Sequence, residues 1–184
     1  WLWEMEVGTD YEDGEFVDLD TLAENGIIAT DMKQLALHTL YANYQVLKKE
    51  KRAEMLYLYF NHYAFKNLHM EEVFHVGREV LKDQEQFWED WIALLKEKQG
   101  DIAGRLLKEA VLYSQGVEGL VHIADESAAV HPSLYLAAMD AYGKAQDYEK
   151  IEKTGEKVLE RVNGQLKIRA EICLNAAYAS FRLG

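Results

Sequence analysis

The sequence is poor in the residues that staple, break or anchor a chain. Of 184 residues one is cysteine, Cys173, which excludes an intramolecular disulfide framework and any zinc site built on several thiolates. One proline, Pro132, and 12 glycines leave long stretches without a breaker, which favours helices over a many-stranded sheet. No uninterrupted apolar run approaches the roughly 20 residues of a membrane-spanning helix, and no basic-then-apolar leader is present. Basic residues are the scarcer charge: 20 Lys and Arg stand against 32 Asp and Glu, a formal net charge of −12. That balance argues against electrostatic binding to nucleic acid or to an anionic membrane surface. What is abundant is apolar, at 49% of residues beside 28% charged, the composition of a chain that buries a core.

The charge is unevenly placed. Ten acids and no Lys or Arg fall between Trp1 and Met32; the remainder of the chain is nearly balanced, with 22 acids and 20 bases. Residues 1–28 therefore read as an acidic linker or the remnant of a preceding domain, and residues 29–184 as a helical-repeat domain. Within the first segment Trp1–Val7 alternates as a strand does, and Asp20–Gly26 has the makings of one helical turn closed by Asn25-Gly26. The acidic stretch from Asp10 to Asp20 places Thr9 and Tyr11 where a calcium loop needs carboxylates, so it reads as a solvated loop. Trp1 and Trp3 are candidates to dock on the helices, where the acidic segment would act as an intramolecular plug.

From Thr30 the pattern is helical almost without pause, predicting about nine helices joined by short turns. Thr30 or Asp31 caps a helix to about Leu47; further helices are expected over about 50–67, 69–82, 84–98, 101–113 and 117–129. Pro132 suits the first turn of the next, Tyr148–Val162 has the cleanest i, i+3, i+4 stripe, and the last begins near Leu166. Leu56, Phe60 and Tyr63 are expected to share a buried face, Trp88 and Trp91 to be core, and Val80 and Leu81 to lie on the stripe of the 69–82 helix. Cys173, beside Ile172 and Ala176-Ala177, reads as a buried and inert thiol.

Residues 138–160 carry a more specific signal. Tyr142 late in one helix, the Gln146-Asp147-Tyr148 turn, and Val158-Leu159 in the next helix resemble a tetratricopeptide repeat. Gln146 stands where that family has glycine, and Ile151 where it has alanine. Related tyrosines recur at Tyr44, Tyr113, Tyr142 and Tyr178, at intervals of 69, 29 and 36 against a family period near 34. The resemblance covers 131–184, is looser over 30–130 and is absent from 1–28. It implies an all-α, right-handed superhelix of antiparallel helical hairpins serving as a cytoplasmic protein-interaction scaffold. Its partner would be another protein or peptide held in a concave groove, with no cofactor and no reaction. Carried over position by position, the groove-lining residues are Ser133, Leu136, Asp140, Lys144 and Arg169, with His38 and Gln45 on the first helix. The oligomeric state stays open.

Two other classes of function compete. His69, Glu72 and His75 lie at successive i, i+3 positions, and Glu-x-x-His is a ligand pair of carboxylate-bridged metal bundles. With His62 they suggest a helical-bundle enzyme or a small-ligand or metal sensor, although a second Glu-x-x-His is missing. The third reading is a structural spacer or dimerisation arm. No nucleophile elbow, phosphate loop or dinucleotide fingerprint is present to favour catalysis.

Overall fold

The computed structural model describes residues 9–10, 16–17, 25–26, 31–159, 161–162 and 164–184. Two short strands, β1 (Thr9–Asp10) and β2 (Phe16–Val17), pair antiparallel with Thr9 opposite Val17. Asn25-Gly26 forms a turn, with Gly26 at a φ of 68°. The expectations for Trp1–Val7, for the docking of Trp1 and Trp3, and for most of the acidic loop and the 20–26 turn fall outside the described residues.

Eight helices follow among the described residues. They are α1 (Met32–Val46), α2 (Lys49–Phe60), α3 (Met70–Val76), α4 (Gln84–Glu97), α5 (Asp101–Ser127), α6 (Ser133–Lys144), α7 (Tyr148–Leu159) and α8 (Leu166–Leu183). Among the described residues the fold is all-helical apart from the small hairpin, and no described helix is long and apolar enough to cross a membrane. The expected fifth and sixth helices form one span, α5, interrupted at Gly116 (φ 70°, ψ −165°), a conformation that glycine adopts without a Cβ penalty. Helix starts are legible locally. Asp31 accepts the Gln34 N–H at 3.0 Å, and Pro132, at a φ of −64°, precedes α6.

Two helices are shorter than their periodicity suggests. α3 stops at Val76 rather than near residue 82, because the segment after it lies against α1. Tyr41 donates its hydroxyl proton to the Glu79 carbonyl at 3.0 Å, and Tyr44 to the Lys82 carbonyl at 2.9 Å. Gly77 is required here: a Cβ would overlap the Tyr41 ring. Val80 consequently faces solvent at 85% exposure, contrary to its expected place on a buried stripe, whereas Leu81 is buried. α2 ends at Phe60 and gives way to turns. The helical phase is lost there, so Phe65 is buried while Tyr63, expected beside Leu56 and Phe60, is half exposed.

The core of the first half is aromatic. Tyr44 meets Phe74 and Phe87 edge-on at centroid distances of 5.4 and 5.1 Å, and Phe87 stacks on Trp91 at 5.6 Å. Offset and edge-on pairs of this kind each contribute about 0.5–1.5 kcal/mol beyond the area they bury. Trp88 and Trp91 are buried as expected. Arg52 is enclosed with them, its guanidinium 4.0 Å from the centroid of the Tyr44 ring.

Every substantial helix contact joins helices one or two places apart in the chain: α1 with α2 and α3, α2 with α4, α3 with α5, α4 with α5, α5 with α6, α6 with α7 and α8, and α7 with α8. The second half is locked by a repeated polar device. Glu118 on α5 accepts from Tyr142 at 3.1 Å and Lys150 at 2.7 Å; seven residues later Asp125 accepts from Tyr135 at 2.9 Å and Lys157 at 2.5 Å. The tyrosine partners run backward along α6 and the lysines forward along α7. α6 is therefore antiparallel to the end of α5, and α7 parallel to it.

Candidate functional site

The α6–α7 turn fixes the best-defined candidate surface. Asp147 caps α7 by accepting the Lys150 N–H at 3.2 Å, and its own N–H returns to the Tyr142 carbonyl at 2.9 Å. Gln146, at the glycine position of the resembled turn, takes the left-handed conformation that glycine would supply, with φ 58°. This hairpin orients the stripe Ser133, Leu136, Asp140 and Lys144 along α6. Ser133, Asp140 and Lys144 are exposed, Leu136 is half-buried, and Lys144 pairs with Asp140 at 2.7 Å. Isolated exposed pairs of this kind are worth well under about 1 kcal/mol, so both charges remain free to meet a partner.

Arg169 has a different setting. It is half-buried at the start of α8, and its guanidinium donates to the carbonyls of Leu159 and Val162 where α7 ends. The Leu159 carbonyl is one that a helix terminus leaves without an intrahelical partner, Val162 lies just beyond it, and a cation there also meets the negative end of the helix dipole. His38 and Gln45 are exposed on α1, where Gln45 donates to the Tyr41 hydroxyl at 3.1 Å. α1 makes no substantial contact with α6 or α8, so the α1 candidates and the α6 stripe are not brought together.

The larger surprise is α8. Its inner side buries Ile172 and Ala179. Its outer side is apolar too: Leu166, Ala170, Cys173, Leu174, Ala177 and Phe181 fall on one exposed stripe. Leu166 and Phe181 are each 81% exposed and Leu174 69%. The expectation that Cys173 is buried is therefore overturned. It lies on the outward stripe, about 100° around the helix from Ile172. Periodicity contained both stripes, but it carries no information about which one the rest of the fold covers.

The histidine cluster is spent on local structure. Glu72 accepts the His69 backbone N–H at 3.1 Å at the start of α3 and pairs with Lys33 at 2.6 Å. His69 Nδ1 lies 3.0 Å from Glu109, while the His75 ring meets the Glu71 carbonyl at 2.8 Å. For Glu72 burial pushes the pKa up, but the Lys33 and His69 hydrogen bonds outweigh it and leave the carboxyl below its ordinary range. Among the described residues no group of three or more His, Cys, Asp or Glu is arranged to hold a metal ion.

Among the described residues the fold and this surface define a helical class of protein with neighbour-to-neighbour helix packing and an outward apolar face on α8. Comparison with known proteins finds no matching family model, no matching curated protein and no matching solved structure.

Proposed function

We propose that the protein is an interaction scaffold of the tetratricopeptide-like kind, a right-handed array of helical hairpins that binds a peptide or a helix of another protein. The observation that carries this reading is the outer face of α8, where large apolar side chains are held on the most solvent-exposed side of an ordered helix. Contiguous exposed apolar surface of this kind marks interaction sites in soluble proteins. Confinement of helix contacts to near neighbours supports the array, since solenoids build their cores in that way.

In this reading the α6 stripe lines the concave groove. Leu136 supplies an apolar contact, and Asp140 and Lys144 select among partners by charge. Arg169 shapes the end of α7 beside the groove. The array acts in the cytoplasm, a reducing setting in which the exposed Cys173 stays a thiol.

The test is affinity capture from cell lysate with the intact chain, an Asp140→Lys/Lys144→Glu variant and a Leu174→Glu/Phe181→Glu variant, all matched for melting temperature. A partner held by the intact chain and lost from either variant supports the scaffold. An identical captured set from all three chains and from heat-unfolded protein would sink it.

A further inference from the structure

The exposed stripe of α8 is symmetric along its length. Its apolar residues run Leu166, Ala170, Cys173, Leu174, Ala177 and Phe181, in steps of four, three, one, three and four residues. The spacing is the same from either end, about a midpoint between Cys173 and Leu174. Side-chain size follows the same symmetry, large at both ends and alanine one turn in from each. Ala170 and Ala177 lie within about 20° of one another around the helix, so the middle of the stripe is also its lowest part.

A face that is the same in both directions fits its own copy turned about a two-fold axis. Set antiparallel, Leu166 lies level with Phe181 of a second copy, Ala170 with Ala177, and Cys173 with Leu174. The alanines allow the two axes to approach to the short end of the usual range of about 8–10 Å, and the large residues close over the ends.

The charges fit the same register. Lys167 lies level with Ser180 of the other copy, Arg169 with Tyr178, Glu171 with Ala176 and Arg182 with Gln165, so no charge is set against its like. A parallel, in-register pair would instead put each of these charges level with its own copy, and would align the two helix dipoles. The chain as a whole carries a net charge of −12, which holds copies apart. α8 has three bases and one acid, so that acidic surface is interrupted here.

The area is sufficient for a weak pair. Leu166 and Phe181 at 81% exposure and Leu174 at 69% make up most of a patch of about 500 Å². Two such patches bury about 1,000 Å² in total, the low end for a specific interface, which corresponds to micromolar association.

We propose that the partner of this face is a second copy of the chain, joined α8 to antiparallel α8 in a reversible two-fold dimer. This occupant rests on the reading of the α8 face as an interaction surface; the α6 stripe, on another helix, is left to other partners.

The experiment is sedimentation equilibrium of the full chain across about 1–500 μM, a range that brackets a micromolar constant. The average mass should rise from that of one chain toward that of two. Leu174→Glu/Phe181→Glu should weaken association by about 100-fold or more while keeping the melting temperature of the dilute protein. Cys173 should react freely with a thiol reagent in dilute protein and become protected as the dimer fills. Register is read in a Cys173→Ser background, oxidised with copper phenanthroline in air. Ala170→Cys mixed with Ala177→Cys should give the mixed disulfide, and either alone should cross-link little.

A chain that stays monomeric over the whole range would overturn the proposal. So would a dimer that the Leu174→Glu/Phe181→Glu variant leaves intact, or cysteines that cross-link to their own kind in preference. A monomer whose captured partner is lost on Leu174→Glu/Phe181→Glu overturns the second copy as occupant and leaves the interaction surface standing. A dimer through α8 from a chain that captures no other protein supports the pairing and removes the scaffold.

Discussion

Tyr135, a fully buried side chain of α6, donates its hydroxyl proton to Asp125 of α5 at 2.9 Å, and Lys157 of α7 completes the contact from the other side of the carboxylate at 2.5 Å. The Tyr142, Glu118 and Lys150 triad repeats it one heptad away, so three helices share a register set by two carboxylates.

The tyrosines of these triads make stability fall at alkaline pH. Burial, followed by the adjoining carboxylate, pushes both Tyr135 and Tyr142 up to about 12. The folded value exceeds the unfolded value of about 10, so their contribution is fully present below pH ~10 and drains as pH rises toward 12. Urea midpoints measured from pH 8 to 11.5 should decline, and Tyr135→Phe should flatten part of that slope. An unchanged slope in the variant would contradict the assignment.

The carboxylates act in the opposite direction. Burial raises Asp125, but the hydrogen bonds from Lys157 and Tyr135 outweigh it and hold the group below the ordinary aspartate range. A depressed folded pKa stabilises above the unfolded value, near 4, and the benefit is lost as pH falls through the folded one. Stability measured between pH 6 and 2.5 should fall below pH ~4, and Asp125→Asn should show a shallower acid limb on a less stable protein.

Gln146 sits in the left-handed region at a φ of 58°, where a side chain is unfavourable. Gln146→Gly should stabilise the protein by about 0.5–1 kcal/mol, the relief of strain exceeding the added entropy of the unfolded chain. Chemical denaturation checks this, and a loss of stability would show that the Gln146 side chain contributes more than its backbone costs.

Gly155 allows α7 to approach α8: a Cβ there would lie 2.6 Å from the Cβ of Ala176. Gly155→Ala should destabilise by about 1–3 kcal/mol despite alanine's helix propensity, since α7 and α8 must separate. Ala176→Gly in the same chain should recover part of the loss, and a double-mutant cycle measures that coupling.

On α8 the two apolar stripes should behave oppositely. Ile172→Ala should cost about 2–5 kcal/mol, whereas Leu174→Glu should change monomer stability by no more than about 0.5 kcal/mol. Cys173, being exposed, should react with a thiol reagent in the native protein without denaturant. Slow reaction limited by unfolding would place it in the core instead.

Much of the helical framework is written locally. The caps at Asp31 and Asp147, the proline before α6 and the apolar period of α7 concern residues within one or two turns of each other, and such signals survive without tertiary context. The Ser133 to Lys144 stripe is legible for the same reason. Long-range contacts decided the remainder. Tyr41 and Tyr44 hold the backbone at Glu79 and Lys82, and that trade ended α3 early and turned Val80 outward. Arg169 was drawn to carbonyls seven and ten residues away by the turn that closes α7 onto α8. α8 states the division most simply. Its sequence determines a helix with two apolar stripes, and only the packing of α6 and α7 determines that Ile172 is inside while Leu174 and Cys173 meet solvent, because burial depends on which face the neighbouring helices cover.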